Sequence, residues 1–239
     1  MMEQSLPWVC IPGFMLDETL WNDLVSYLPK QQPICHGSLT DGDTISTIAD
    51  SIVRHAPERF VLLGFSLGGY VARSIAARYP QRVAGLVLIA TSLRDDTPAQ
   101  RKAKIDTLEI QRHLRFRGIG RIAIVKTLRP DNNNNETLIN RIRTMSERLG
   151  FGELEKQSIL DRSTPVGQEI SCPTLIVAGE QDQMRSMEEF QELQHFIPQA
   201  QSIVIANSGH MIPLEQPEKL AQTIQKWLQK NLLSHTYDY

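Results

Sequence analysis

Ser66 stands in Gly64-Phe65-Ser66-Leu67-Gly68, directly after the apolar run Phe60-Val61-Leu62-Leu63 and directly before Leu67, Val71, Ala72, Ile75 and Ala76, which have helical spacing. A buried strand that runs into a serine, with a helix straight after it, forces a sharp turn. The serine then takes a strained backbone conformation, and its hydroxyl projects from the sheet edge at the helix N-terminus. Flanking glycines relieve clashes where the backbones crowd this turn. The Leu67 N–H lies beside the hydroxyl, aimed at a negative charge developing on an attacked carbonyl. The plainer reading is a glycine-rich turn that packs helix on strand, and the context on both sides favours the reactive one.

A serine hydroxyl is a poor nucleophile and needs a base. Of six histidines, His210 directly follows the last strand-like run in Ser208-Gly209-His210-Met211-Ile212-Pro213. A loop there reaches the same carboxyl edge of a parallel sheet as Ser66. His36, His55 and His235 fall in or beside turns or the tail, and His113 and His195 read as structural. The base needs a carboxylate to fix its tautomer and stabilise the imidazolium. Asp182, in Gly179-Glu180-Gln181-Asp182-Gln183, follows another strand and is the preferred acid. Glu180 competes from a position closer to the strand end, and Asp95 and Asp96 compete from just after Val83 to Ala90.

These three side chains need elements that bring them to one edge. Pro7 to Ile11 reads as a buried strand stopped by Pro12-Gly13. Leu16, Leu20, Leu24 and Leu28 recur every fourth residue, which predicts a helix, with Asp17 as its N-cap. Pro33 to Leu39 is a weak strand candidate. Ile45, Ile48, Ala49, Ile52 and Val53 predict a helix ended at Ala56-Pro57. Further strands are expected at 59–64, 83–90, 172–178 and 202–206, with helices around Phe190 to Phe196 and from Leu220 to Leu228. Strands without polar alternation, separated by helices, imply a parallel sheet covered on both faces. From Arg94 to Pro165 the pattern is helical, with helices expected at 108–124 and 138–149. The polar run Pro130 to Asn135 reads as a connecting turn.

Of 239 residues, 41% are apolar and 22% charged, and the formal net charge is −2. Those values describe a globular chain and give no reason to expect nucleic acid or an anionic membrane as partner. No apolar run reaches the roughly 18 residues that span a bilayer. Met1 to Leu6 lacks the basic and apolar regions of a secretory signal. Cys10, Cys35 and Cys172 are scattered, with no CxxC pattern, which predicts a reduced, cytoplasmic protein.

The order Ser66, Asp182, His210, with Gly64-Phe65-Ser66-Leu67-Gly68-Gly69, Gly179-Glu180-Gln181-Asp182 and Gly209-His210 followed by Glu215-Gln216-Pro217, resembles the α/β-hydrolase superfamily. The resemblance covers nearly the whole chain outside 94–165. It implies an α/β fold in which residues 1–93 and 166–239 form the core and 94–165 a helical cap inserted after a strand. It implies a second oxyanion donor from the loop after the first strand, here the Phe14 N–H in Pro12-Gly13-Phe14. Proline stands where similar enzymes usually carry histidine, and the turn-forming glycine is kept. Because that loop comes so early, the usual leading β-hairpin is expected to be absent, leaving about six strands instead of eight.

The expected function is a serine hydrolase of small carboxylic esters or thioesters, with Ser66 as nucleophile, His210 as base, Asp182 as orienting acid and the Phe14 and Leu67 N–H groups as oxyanion donors. No metal or organic cofactor is implied. C–C bond hydrolases and cofactor-free perhydrolases are similar and use the same trio; a non-catalytic ligand receptor on this fold would not need it. Haloalkane dehalogenases carry a carboxylate where this chain has Ser66. Between residues 94 and 165, fifteen Lys and Arg face ten Asp and Glu, a surplus of five that leaves −7 for the rest of the chain. A basic lid could draw in an anionic substrate; an arginine-rich solvated surface is the simpler alternative.

Overall fold

The computed structural model describes residues 6–163 and 169–233. The residues 1–5, the expected boundary between 165 and 166, and His235 lie outside them. Six strands form one sheet: β1 (Trp8–Ile11), β2 (Ile34–His36), β3 (Phe60–Phe65), β4 (Val83–Ile89), β5 (Thr174–Gly179) and β6 (Gln201–Ile205). Their order is β2-β1-β3-β4-β5-β6, and every neighbouring pair runs parallel. The sheet is parallel throughout and has the expected number of strands. Parallel pairing brings all six carboxyl ends to one edge, and the order reverses between β1 and β3. That reversal opens a crevice at the edge.

The central strands are buried along their full length. Side chains alternate between the faces of a strand, and here they sort into two cores. Val61, Leu63, Phe65, Val87 and Ile89 face one way, and Phe60, Leu62, Leu86 and Leu88 the other. The first face packs on α1 (Asn22–Ser26) and α8 (Pro217–Leu228) through Leu24, Leu220, Ile224 and Trp227. The second packs on α2 (Ile45–His55), α3 (Leu67–Arg78) and α7 (Met187–Phe196) through Ile48, Ile52, Val71, Ile75 and Leu193. Full burial of each such side chain contributes about 1.5–3 kcal/mol. Thr44 and Ser186 cap α2 and α7, each in a reciprocal capping box.

Between β4 and β5 lie α4 (Pro98–Arg112), α5 (Arg121–Val125) and α6 (Glu136–Ile159), and no strand occurs among the described residues there. The single helix expected at 108–124 is instead two. Helix α4 starts ten residues earlier, where Thr97 and Gln100 form a capping box around Pro98, and it stops at Arg112. Gly118, at φ +80°, then turns the chain before α5. The helix expected to end at Leu149 does break there: Gly150, with a φ of +80° outside the helical range, kinks α6, and a second helical stretch that was not expected runs on to Ile159. In the polar run 130–135, Pro130–Asn132 makes a 3₁₀ turn and Asn135 caps α6.

The expected leucine-striped helix is also modified. Asp17 accepts the Thr19 N–H as its N-cap, but the segment opens as a 3₁₀ turn, Glu18–Trp21, before the short α1. All four leucines are still buried, because either geometry turns the stripe onto the sheet. Strand β2 is shorter than the candidate 33–39, and β5 starts only after Pro173.

Cys10 is fully buried in β1, and burial pushes its thiol far above the usual range; burial also pushes Cys172 up to about 11. Only the thiolate alkylates readily. Native protein treated with iodoacetamide near pH 8 should therefore be modified at the half-buried Cys35 well before Cys10 and Cys172. Peptide mass spectrometry should find all three modified only after unfolding.

Candidate functional site

Strand β3 delivers Ser66 and α3 begins at the next residue. Ser66 sits at φ +50°, ψ −113°, a conformation that costs a non-glycine residue ~1–3 kcal/mol. Hydrogen bonds on both sides hold it. Its N–H donates to the Ile89 carbonyl at 2.9 Å, and its carbonyl accepts from the Gly69 N–H at 3.0 Å and the Thr91 hydroxyl at 2.8 Å. A side chain at Gly68 would collide with the Pro12 carbonyl oxygen, so only glycine lets α3 start beneath the Pro12–Phe14 loop.

His210 arrives on the loop after β6, and Asp182 on the loop after β5. The His210 Nδ1 lies 2.8 Å from Asp182 Oδ2, and its Nε2 lies 2.9 Å from Ser66 Oγ. A carboxylate can only accept, so Nδ1 carries the proton and Nε2 is left to accept from the serine hydroxyl. The Asp182 and His210 side chains are 3% and 7% exposed. The second carboxylate oxygen of Asp182 accepts the Met184 and Arg185 N–H groups at 2.7 and 3.0 Å, which fixes its plane. The Phe65 ring lies 5.2 Å from the imidazole and closes one side.

The other acid candidates are engaged elsewhere. Glu180 accepts the Asn207 N–H and braces the turn. Asp95 accepts from the Asp96 and Arg162 N–H groups and pairs with Arg101, and Asp96 pairs with Lys104. His55 and His195 each bond a carbonyl one helical turn back, and His113 ends α4. His36 ends β2, where burial lowers its pKa against a smaller opposing effect of Glu18.

The Pro12-Gly13-Phe14 loop lies against the serine: a methyl group added at Gly13 would be 3.2 Å from Ser66 Cβ. Leu67, as the first residue of α3, has no acceptor for its N–H within the helix. Two further residues escaped sequence reasoning. Gln157, on the second half of α6, accepts the Met15 N–H at 2.8 Å in a buried bond spanning 142 residues. No local pattern announces it. Glu215, visible in the sequence only as part of a motif, accepts from the Gly209 N–H at 2.7 Å and from the Arg129 N–H and Asn132 Nδ2 at 2.8 Å. It thereby joins the His210 loop to the segment between α5 and α6.

Ser66 and His210 line a cavity of about 190 Å³ that is otherwise mainly apolar, with Phe14, Leu16, Ile142 and Met211 in its wall. Phe14, Ile119, Ala123 and Met184 are shared with a larger cleft of about 750 Å³ beside α4 and α5, so the two adjoin. The basic surplus of 94–165 is largely consumed in ion pairs. Arg141 and Arg148 bind Asp23 and Asp17, and Arg94 binds Glu192, all in the flanking parts of the chain. Among the described residues, Arg115, Arg117, Lys126 and Arg143 have no acidic partner, and of these Lys126 lines the larger cleft.

The family model described as alpha/beta hydrolase fold matches residues 43–217. A putative 2-succinyl-6-hydroxy-2,4-cyclohexadiene-1-carboxylate synthase of Bacillus subtilis is 25% identical, over 92% of this chain and 89% of its own length. A pimeloyl-[acyl-carrier protein] methyl ester esterase of Serratia marcescens is 26% identical, over 77% of this chain and 76% of its own. Among solved structures, a thermophilic esterase from Thermogutta terrifontis with malate bound superposes with a TM-score of 0.81 at 28% identity. That match covers 95% of this chain and 90% of the esterase.

Replacing Glu215 by Ala would strand three donors at once. The loss should be roughly 2–3 kcal/mol, read as a lower urea midpoint with an unchanged slope. An unaltered midpoint would show that the two segments are held together by packing alone.

Proposed function

The chain belongs to the alpha/beta hydrolase fold family, and within it we propose a serine hydrolase that cleaves a small carboxylic ester or thioester through an acyl-enzyme. The observation that carries this reading is the relay Asp182–His210–Ser66, with contacts of 2.8 and 2.9 Å, opening into an apolar cavity. A carboxylate-held imidazole bonded to a serine at a strained turn is what acyl transfer needs and what ligand binding alone does not.

In this reading Ser66 Oγ attacks the acyl carbon while His210 Nε2 takes its proton. Asp182 keeps the Nδ1 proton in place and stabilises the imidazolium. The carbonyl oxygen becomes an oxyanion and is met by the Phe14 and Leu67 N–H groups. As the tetrahedral species collapses, His210 returns the proton to the departing alcohol or thiol, leaving Ser66 acylated. Water then attacks the acyl carbon with His210 as base, and a second collapse releases the acid and restores the serine. No metal or organic cofactor enters these steps.

Residues 94–165 are proposed as the cap over the core formed by 1–93 and 166–239, because its helices α4 and α5 flank the larger cleft. Apolar walls around the serine suit an aliphatic acyl group, and the adjoining cleft leaves room for a longer chain. The Serratia marcescens relative, named as an esterase of a carrier-bound methyl ester, supports the ester reading. C–C bond hydrolysis and perhydrolysis use the same three side chains; a panel of p-nitrophenyl esters beside a vinylogous diketone separates ester from C–C cleavage, and peracid formation in added hydrogen peroxide tests perhydrolysis. Among the described residues no helix is long and apolar enough to cross a membrane. Three free cysteines suit a reducing, cytoplasmic setting.

A fluorophosphonate should form a single adduct, mapped by mass spectrometry to Ser66 and absent in Ser66→Ala. Labelling at another residue would overturn the nucleophile. Asp182→Asn should lower kcat on the order of 10⁴-fold, by analogy with the serine-protease trio. Asp95→Asn and Asp96→Asn should act far more weakly; the reverse ranking would move the acid to the strand before the cap.

A further inference from the structure

The loop that carries the Phe14 N–H is not held by the sheet alone. Its next residue, Met15, is fully buried and sits at φ +54°, where a side-chain-bearing residue is uncommon. The turn is closed by the Leu16 N–H on the Gly13 carbonyl at 3.2 Å, which leaves the Met15 N–H directed away from it. That N–H is taken by Gln157 Oε1. Gln157 is 1% exposed and reaches the loop because the Gly150 kink turns the second half of α6 onto it. Leu154, one turn before Gln157, packs with Met15 in the same small cluster. A second fastening follows at once, where Arg148 Nε donates to Asp17 at 2.7 Å.

The orientation of the Gln157 amide is fixed by chemistry. Only its oxygen can face an N–H donor. Its nitrogen is then left buried without a partner among the described residues. An apolar side chain at this position would avoid that orphan but would forfeit the bond to Met15. The residue is therefore explained by its oxygen.

We propose that Gln157 is a positioning residue for the oxyanion site. It holds the Phe14–Met15 peptide, and through the Phe14 dihedral angles the neighbouring Phe14 N–H, in the direction that meets the oxyanion. This rests on the reading of Phe14 as an oxyanion donor given above. A helix of the inserted segment thus completes a site whose other parts come from the sheet edge. The effect lies in the transition state, because the ground-state carbonyl is contacted less closely than the oxyanion.

Gln157→Met keeps the length and apolar volume and removes the acceptor. It should lower kcat by about 10- to 100-fold, short of the 10²–10³ that follows removal of an oxyanion donor itself, with KM changed less than about twofold. Affinity for a trifluoromethyl ketone, which forms a tetrahedral oxyanion on the serine, should fall by a similar factor. If Gln157→Met does not fold, Gln157→Asn withdraws the acceptor by one carbon and should show the same pattern. Lys156→Met, which cuts a neighbouring α6 contact to the Thr40 carbonyl, should leave both values near wild type. Equal losses in Lys156→Met, or ketone affinity unchanged in Gln157→Met, would overturn the proposal while leaving the serine mechanism intact. Failure of wild-type Ser66 to take the fluorophosphonate would remove the reading beneath it.

Discussion

A serine fixed at φ +50° and ψ −113° has to be held there by everything around it. Strand β3 pins the residue before it and α3 the residues after it, while the Ile89 carbonyl and the Thr91 hydroxyl take its own backbone groups. The strain is small against the burial of β3 and β4, each enclosed along its whole length. That imbalance is why the turn survives. The projection of the hydroxyl toward His210, its place at the helix N-terminus and the close approach of the Pro12–Phe14 loop belong to the same tight turn.

The parallel sheet supplies the rest of the geometry. Loops after β1, β3, β5 and β6 all emerge at one edge, so residues far apart in the chain need only short loops to meet. Asp182 and His210 stand on consecutive strands of that edge. The β5 and β6 loops are cross-bonded by the Gln181 N–H to the Ser208 carbonyl and by Glu180 to Asn207. The imidazole therefore has little freedom to leave the serine, and Glu215 restrains the same loop from its other side.

The inserted helices are fastened to the edge at two places. Gln157 holds the loop after β1, and the Arg129 N–H joins Glu215 beside His210. Ion pairs from Arg141 and Arg148 add to the first fastening. Much of the positive charge that looks like a recognition surface in the sequence is used in this way. Such pairs contribute modestly to stability when they are partly exposed, but they fix the register of α6 over the loop.

Short buried apolar runs such as Phe60–Phe65 and Val83–Ile89, bounded by turn residues and separated by helical spacings, read as interior strands covered by helices. The sequence by itself therefore determined the sheet, its six strands and the arrival of Ser66 and His210 at one edge, with Asp182 preferred over Glu180, Asp95 and Asp96; the contact of Asp182 with His210 was decided by the structure. Local chemistry was equally legible at Asp17, Thr44 and Ser186, where a cap acts on residues only two or three positions away. The inserted segment was not. Its periodicity suggested one helix at 108–124, where the chain makes two, with Gly118 packed against the Arg143 carbonyl of α6 between them, and it gave no sign of the helical stretch that follows the break at Gly150. Only the tertiary structure decided that Gln157 meets Met15, that Glu215 joins the His210 loop to Arg129, and which of the cations of 94–165 find acidic partners, Arg141 and Arg148 among them. Each is a side-chain bond between segments distant in sequence, set by how one layer lies on another, and a local pattern carries no information about that placement.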